Sequence, residues 1–268
     1  MKLFYNLFLF SNLYIAFGFC ALWIYYAFKL DVNFSLLNLG FFFSSTLISY
    51  NLLRFIPFKR GHFIKDELRY FYYHYINYFL LLSFLFIIIL ISTLSSLSFL
   101  QLSIIGMSGL ILLFYERVIA QFSLRKVLYI KPFIIVFIWA IICTLIHIEQ
   151  ISHYLKLILN FFYCFFFILI LCFSLDFKDR SEDRENNIIT LANSIPEKAY
   201  LTFILILFIL FLCVSLEWSF ENMTISLTSL AIFIYANIKA YSKKISYPKH
   251  ILLIDGLLFI HFLRIFNL

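Results

Sequence analysis

Charge is scarce in this sequence. Only 13% of its 268 residues are Asp, Glu, Lys or Arg, while 64% are hydrophobic, against roughly 45–50% in soluble domains. A soluble chain of this size could not cover its core with so little polar surface. The bilayer must therefore solvate most of it. Cysteine is equally uninformative for bonding. Cys20, Cys143, Cys164, Cys172 and Cys213 all fall in apolar stretches and form no Cys-x-x-Cys pair, which excludes a disulfide framework or a zinc site. Glycine and proline, six and four in number, form no obvious broken-helix pairs, which weighs against a transporter. Linkers, low-complexity tails and a separate soluble domain are missing too.

What fills the sequence is apolar runs of about 20 residues, each long enough to cross roughly 30 Å of hydrocarbon as a helix. The almost unbroken apolar stretch from Phe79 to Ile91 argues against a membrane barrel, whose strands alternate polar and apolar residues. The reading is an all-α transmembrane bundle, one domain over 1–268, with about nine spans: 3–28, 34–56, 75–95, 99–115, 132–148, 154–175, 199–216, 222–240 and 250–266. The first is too long for a signal peptide and shows no clear small-x-small cleavage site.

Charge distribution sets the expected orientation. With the N-terminus in the cytoplasm, eighteen of the 21 Lys and Arg fall on the cytoplasmic side, and only Lys29, Lys156 and Arg264 on the other. This bias follows the positive-inside rule. The net charge of +7 thus reflects topology and attraction to anionic lipid. Nucleic acid is excluded as a partner, because the basic residues are scattered over short loops. Heavy use of Phe, Ile, Asn and Lys fits an AT-rich bacterial genome, and so a bacterial inner membrane.

Six of the 14 acidic residues lie between 176 and 197. If the sixth helix continues past the membrane, Asp176, Asp179 and Asp183 share one of its faces, being three and four residues apart. Carboxylates at the end of so apolar a helix require cations. Oxygen donors of this kind suit Mg²⁺, completed by water and substrate phosphates. The alternative is a solvated helix end, salt-bridged by Lys178, Arg180 and Arg184.

The run Asp176-x-x-Asp179-x-x-x-Asp183-x-x-x-Asn187-Ile188-Ile189-Thr190-Leu191 resembles the second aspartate-rich motif of the UbiA superfamily of intramembrane prenyltransferases. That motif is commonly Asp-x-x-Asp-x-x-x-Asp followed by Gly-Ile-Lys-Thr. Asn187 stands at the usual glycine, and both residues tolerate positive φ. The resemblance implies Mg²⁺ on Asp176, Asp179 and Asp183, an isoprenoid diphosphate as substrate, and catalytic roles for Asp179 and Asp183. The acceptor is not legible.

The superfamily's first motif, Asn-Asp-x-x-Asp, is only partly present. Asn51 matches its Asn, but Leu52, Phe55 and Lys59 occupy the acidic positions. Arg54 offers a guanidinium able to grip a diphosphate without metal. Arg125 and Lys131 are further diphosphate candidates, in the region where related sequences carry a Tyr-x-x-x-Lys element. Asp255, inside the ninth span, is an intramembrane carboxylate and so a candidate by type. Three functions follow: a Mg²⁺-dependent prenyltransferase, a non-catalytic lipid-binding or scaffold protein of the same fold, or a transporter.

Overall fold

The computed structural model describes residues 8–59, 66–115, 124–127, 129–215 and 220–267. Among them the regular structure is helical, as the apolar periodicity requires. The long helices are α1 Leu13–Lys29, α2 Leu36–Lys59, α3 Asp66–Thr93, α4 Phe99–Tyr115, α5 Ile130–Cys143 and α6 Tyr154–Glu185. A four-residue turn follows, α7 Leu191–Ser194, and then α8 Glu197–Ser215, α9 Phe220–Tyr241 and α10 Tyr247–Phe262. Each expected span overlaps one long helix. Four stretches are long and apolar enough to cross a membrane: Leu36–Ile56, Ile130–Gln150, Tyr154–Glu185 and Met223–Tyr241. The chain is an integral membrane protein.

Boundaries differ from expectation at the first and sixth spans, and the border of the third and fourth falls where expected. The first span is not one helix, because Asn12 adopts a left-handed φ of 64° and interrupts it just before Leu13. The third and fourth spans, which share a serine-rich border, are parted by a 3₁₀ turn at Leu94–Ser96. The sixth helix runs to Glu185, ten residues past the expected end at 175. At 1.5 Å per residue its 32 residues make about 48 Å, well over the roughly 30 Å hydrocarbon core. One end must stand clear of the lipid.

The chain forms two compact units. The first comprises Met1–Cys20 and Phe34–Arg125, the second Ala21–Asn33 and Lys126–Leu268. In unit one, α2 and α3 pack along their length. Phe41, Phe42, Leu47, Phe71 and Tyr72 are buried, and α3 bends at Tyr75, whose backbone is non-helical. In unit two, α6 is the central element, packing against α5, α8 and α10. Lys178 donates to the Ile245 carbonyl at 2.8 Å, and the Phe167 and His261 rings stack at 4.4 Å. As the number rises along α10 it falls along α6, so these two helices are antiparallel.

Candidate functional site

The site is built by the end of α6 and the turn after it. Asn186 follows the last helical residue, and Asn187 takes φ 55°, the left-handed conformation expected where the motif usually has glycine. Asn187 N–H donates to the Arg184 carbonyl at 3.1 Å, and Ile188 N–H to the Asp183 carbonyl at 2.7 Å. These are the two bonds of a Schellman cap. Thr190 then caps α7, its hydroxyl accepting from Asn193 N–H at 3.3 Å. Between these caps the Ile189 carbonyl accepts from Tyr129 N–H at 3.2 Å. Tyr129 has φ 60° and directly precedes α5. This bond ties the turn to the start of α5, where Lys131 lies.

Lys131 closes the geometry. Its ammonium lies 2.6 Å from Asp183 Oδ2 and 2.9 Å from Asp176 Oδ1. All three side chains are buried, Asp183 completely. The two aspartates are seven residues apart, two turns on one face of α6, so both reach the same point. A lysine in the first turn of a helix opposes the helix dipole, whereas carboxylates there are favoured. The pair of aspartates thus compensates Lys131. Two carboxylates face one ammonium in a buried place. The solvated helix end considered from the sequence is therefore not what forms at Asp176 and Asp183. Asp179 lies between them in sequence, about 60° round the helix, and is half-buried.

The surroundings are polar in an ordered way. Tyr200 donates its hydroxyl to the Phe173 carbonyl at 2.9 Å. Ser174 donates to Asn237 Oδ1 at 2.8 Å, and Asn237 Nδ2 returns to its own helix at the Phe233 carbonyl. Arg180 sits 3.3 Å from Glu197 and over the Phe177 ring. Asp255 is buried on α10. Sequence reading passed over Tyr200, Ser174 and Asn237. The only signal was their polarity inside apolar stretches.

Asn51, Arg54 and Arg125 belong to unit one. Asn51 is buried and accepts from Asn12 Nδ2 at 2.6 Å, while its own amide donates to Ser83 at 3.5 Å. Its amide is thus engaged by protein. Arg54 is half-buried one turn further along α2, and Arg125 lies in a short 3₁₀ turn at Leu124–Lys126. The side chains of Asp66 and Glu67, more distant acidic residues of this region, lie outside the described set.

Mg²⁺ is the cofactor that the motif implies. Among the described residues no three His, Cys, Asp or Glu side chains form a ready metal cage. Mg²⁺ does not require one, being usually bound by one or two carboxylates with waters and substrate phosphates. Asp176 and Asp183 already converge on a single cation, the Lys131 ammonium. The donor set fits a hard divalent ion.

No family model and no curated relative matches the sequence. Solved structures do match by fold. A UbiA homolog from Aeropyrum pernix K1 superposes with a TM-score of 0.66 over 95% of this chain and 98% of that one, at 9% identity. A structure described as digeranylgeranylglyceryl phosphate synthase in membranes gives a TM-score of 0.56 over 100% and 99%, at 17% identity. The chain therefore has a UbiA-type fold.

Proposed function

We propose that this UbiA-type membrane protein is a prenyltransferase, moving a prenyl group from an isoprenoid diphosphate to a membrane-borne acceptor. One observation carries the reading. Two buried aspartates of the motif end of α6, Asp176 and Asp183, gather one cation between them. Convergent carboxylate oxygens of this kind suit a divalent ion together with the phosphates it brings.

In this reading Asp183 and Asp176, with Asp179 beside them, would hold Mg²⁺, which when bound neutralises charge on the departing diphosphate. Lys131 supplies a fixed ammonium to the phosphate oxygens. Asn51, Arg54 and Arg125 are proposed diphosphate ligands from unit one, Arg54 through its planar fork of donors. The bond between the allylic carbon and the diphosphate oxygen breaks, and the electron pair leaves with the diphosphate. The acceptor's nucleophile bonds to that carbon and gives up its proton. The apolar side chains of the fold keep water from the allylic cation. The whole chain acts as one functional domain, in a bacterial inner membrane, with the N-terminus and the aspartates on the cytoplasmic side, as the Lys and Arg distribution indicates.

The test is incubation of the purified protein with geranyl, farnesyl and longer diphosphates, with and without Mg²⁺. Diphosphate release should require Mg²⁺ and fall about 100-fold or more in Asp179→Ala and Asp183→Ala. Release that persists in both variants removes the assignment.

A further inference from the structure

A long groove lies on the surface of unit two, between α5, α6 and α8. Its volume is about 640 Å³, within the roughly 300–1,000 Å³ of ligand sites. Every lining side chain is aliphatic or aromatic, among them Phe133 on α5, Leu159, Phe166 and Phe173 on α6, Leu191 on α7 and Leu210 on α8. Leu159, Phe166 and Leu210 are each about half exposed. Apolar side chains exposed along a membrane-spanning helix meet lipid. The groove is thus open to the bilayer, unlike an enclosed chamber that shields an allylic cation from water.

Its length and its ends narrow the choice of occupant. From Leu159 to Phe173 the rise along α6 is about 21 Å. The apolar part of α6, Tyr154 to Leu175, rises about 32 Å, which matches the roughly 30 Å hydrocarbon core. Its middle falls near Cys164, so the groove crosses the midplane of the bilayer. One leaflet is only about 15 Å deep, and a chain that fills the groove is longer than that. Phe173, Phe177 and Arg180 share one face of α6, so the groove's face turns polar beyond Phe173. Arg180 sits there over the Phe177 ring and donates to the Ile195 carbonyl. Nearby on α7, the buried Oδ1 of Asn193 accepts no hydrogen bond. At the other end the same face continues with exposed, apolar Leu155. The head of an amphiphile belongs at the Phe173 end, three residues before Asp176.

Within a bilayer the hydrophobic effect does not choose between occupants, because every lipid tail is apolar. Packing and chain entropy decide. A saturated chain loses rotation about every carbon–carbon bond when it is held along a groove. A linear isoprenoid has a double bond in each repeat that does not rotate, so it loses less freedom over the same length. Its methyl branches add contacts against the Phe rings.

We propose that this groove holds the chain of a linear polyisoprenoid lipid, drawn from the bilayer, with its polar head at the Phe173 end. The groove is a docking place on the lipid face of the protein. It stands whether or not Asp176 and Asp183 serve the release of diphosphate.

The experiment follows thermal unfolding of the detergent-purified full chain during titration with farnesol, geranylgeraniol and a longer linear prenol. Each is compared with the saturated alcohol of equal chain length, and the rise in midpoint gives the apparent affinity. Diphosphate and Mg²⁺ are left out, so the result is separate from any activity at the aspartates. Affinity should rise about threefold or more from farnesol to geranylgeraniol and level off once the groove is full, and each saturated alcohol should bind about threefold or more weakly than its prenol. Leu210→Trp fills the middle of the groove and should weaken every prenol about fivefold or more. Leu159→Trp blocks the end remote from the aspartates and should weaken the longest prenol while leaving farnesol unchanged. Phe99→Trp, at an exposed position on α4, should bind all of them as wild type does. Should Leu210→Trp fail to fold, the length-selective loss in Leu159→Trp decides the matter. Equal binding of prenols and saturated alcohols, indifference to length, or wild-type affinity in both groove variants overturns the proposal. A wild-type dimer in size-exclusion chromatography that Leu210→Trp dissociates overturns it too, since a second copy then covers the groove.

Discussion

Lys131 and Asp183 are fifty-two residues apart in sequence and 2.6 Å apart in space, and Asp183 has no solvent exposure at all. Removing the lysine leaves two carboxylates buried without their cation. We expect Lys131→Met to destabilise the protein by about 3 kcal/mol. Chemical denaturation in detergent measures this. Adding Asp183→Asn to Lys131→Met should recover part of the loss, because residues in one ion-pair network do not act additively. Strict additivity of the two changes would mean the contact carries no coupling.

The turn that follows α6 makes a second prediction. Asn187 has φ 55°, so Asn187→Gly should change stability by only about 0.5 kcal/mol or less. Asn187→Val places a β-branched side chain in left-handed backbone and should cost about 1–2 kcal/mol. Thermal melts of the two variants give the comparison. Because the same turn ties α5 to the aspartates through Tyr129 and Ile189, the valine variant should also lose activity out of proportion to its stability.

Asn51 separates a structural role from a binding role. Its carbonyl oxygen accepts from Asn12 in a buried pair. Asn51→Ala and Asn12→Ala should each cost about 1–3 kcal/mol, the range for stranding a buried polar group. If Asn51 also touches diphosphate, Asn51→Ala raises KM where Asn12→Ala does not. Equal kinetics in the two variants would leave Asn51 as a packing residue only.

Arg54 tests whether a guanidinium stands in for the missing first-motif carboxylates. Arg54→Ala should weaken binding of an isoprenoid diphosphate about tenfold or more, with Arg54→Lys intermediate, because a lysine keeps the charge but not the bidentate fork. Unchanged affinity in Arg54→Ala, measured on a protein of normal stability, removes Arg54 from the site.

Much of the fold was legible because it is set by short-range pattern. Apolar runs gave the helices, and Asn at a glycine position gave the left-handed turn at 187. The overshoot of α6 was legible as a condition, since aspartates spaced three and four apart share a face only if the helix continues. Tertiary partners were not legible. Nothing local to Lys131 marks it as the counter-ion of residues so far along the chain, and the sequence offered it as a diphosphate candidate, not as an ion-pair partner. The break at Asn12 was hidden because a single residue of low helix propensity does not stand out inside a long apolar run. Arg264 reads as one more interface cation, and its burial against Ser226 is visible only once α9 and α10 are side by side.

The backbone at Asn187 also carries a consequence for kinship. Only Gly, Asn or Asp sits comfortably at such a position, whereas the acidic first motif is dispensable to this fold. Relatives of this protein should therefore be recognisable by a narrow alphabet at that single turn, eleven residues after the first aspartate of the run, even where the other acidic signature has eroded beyond recovery.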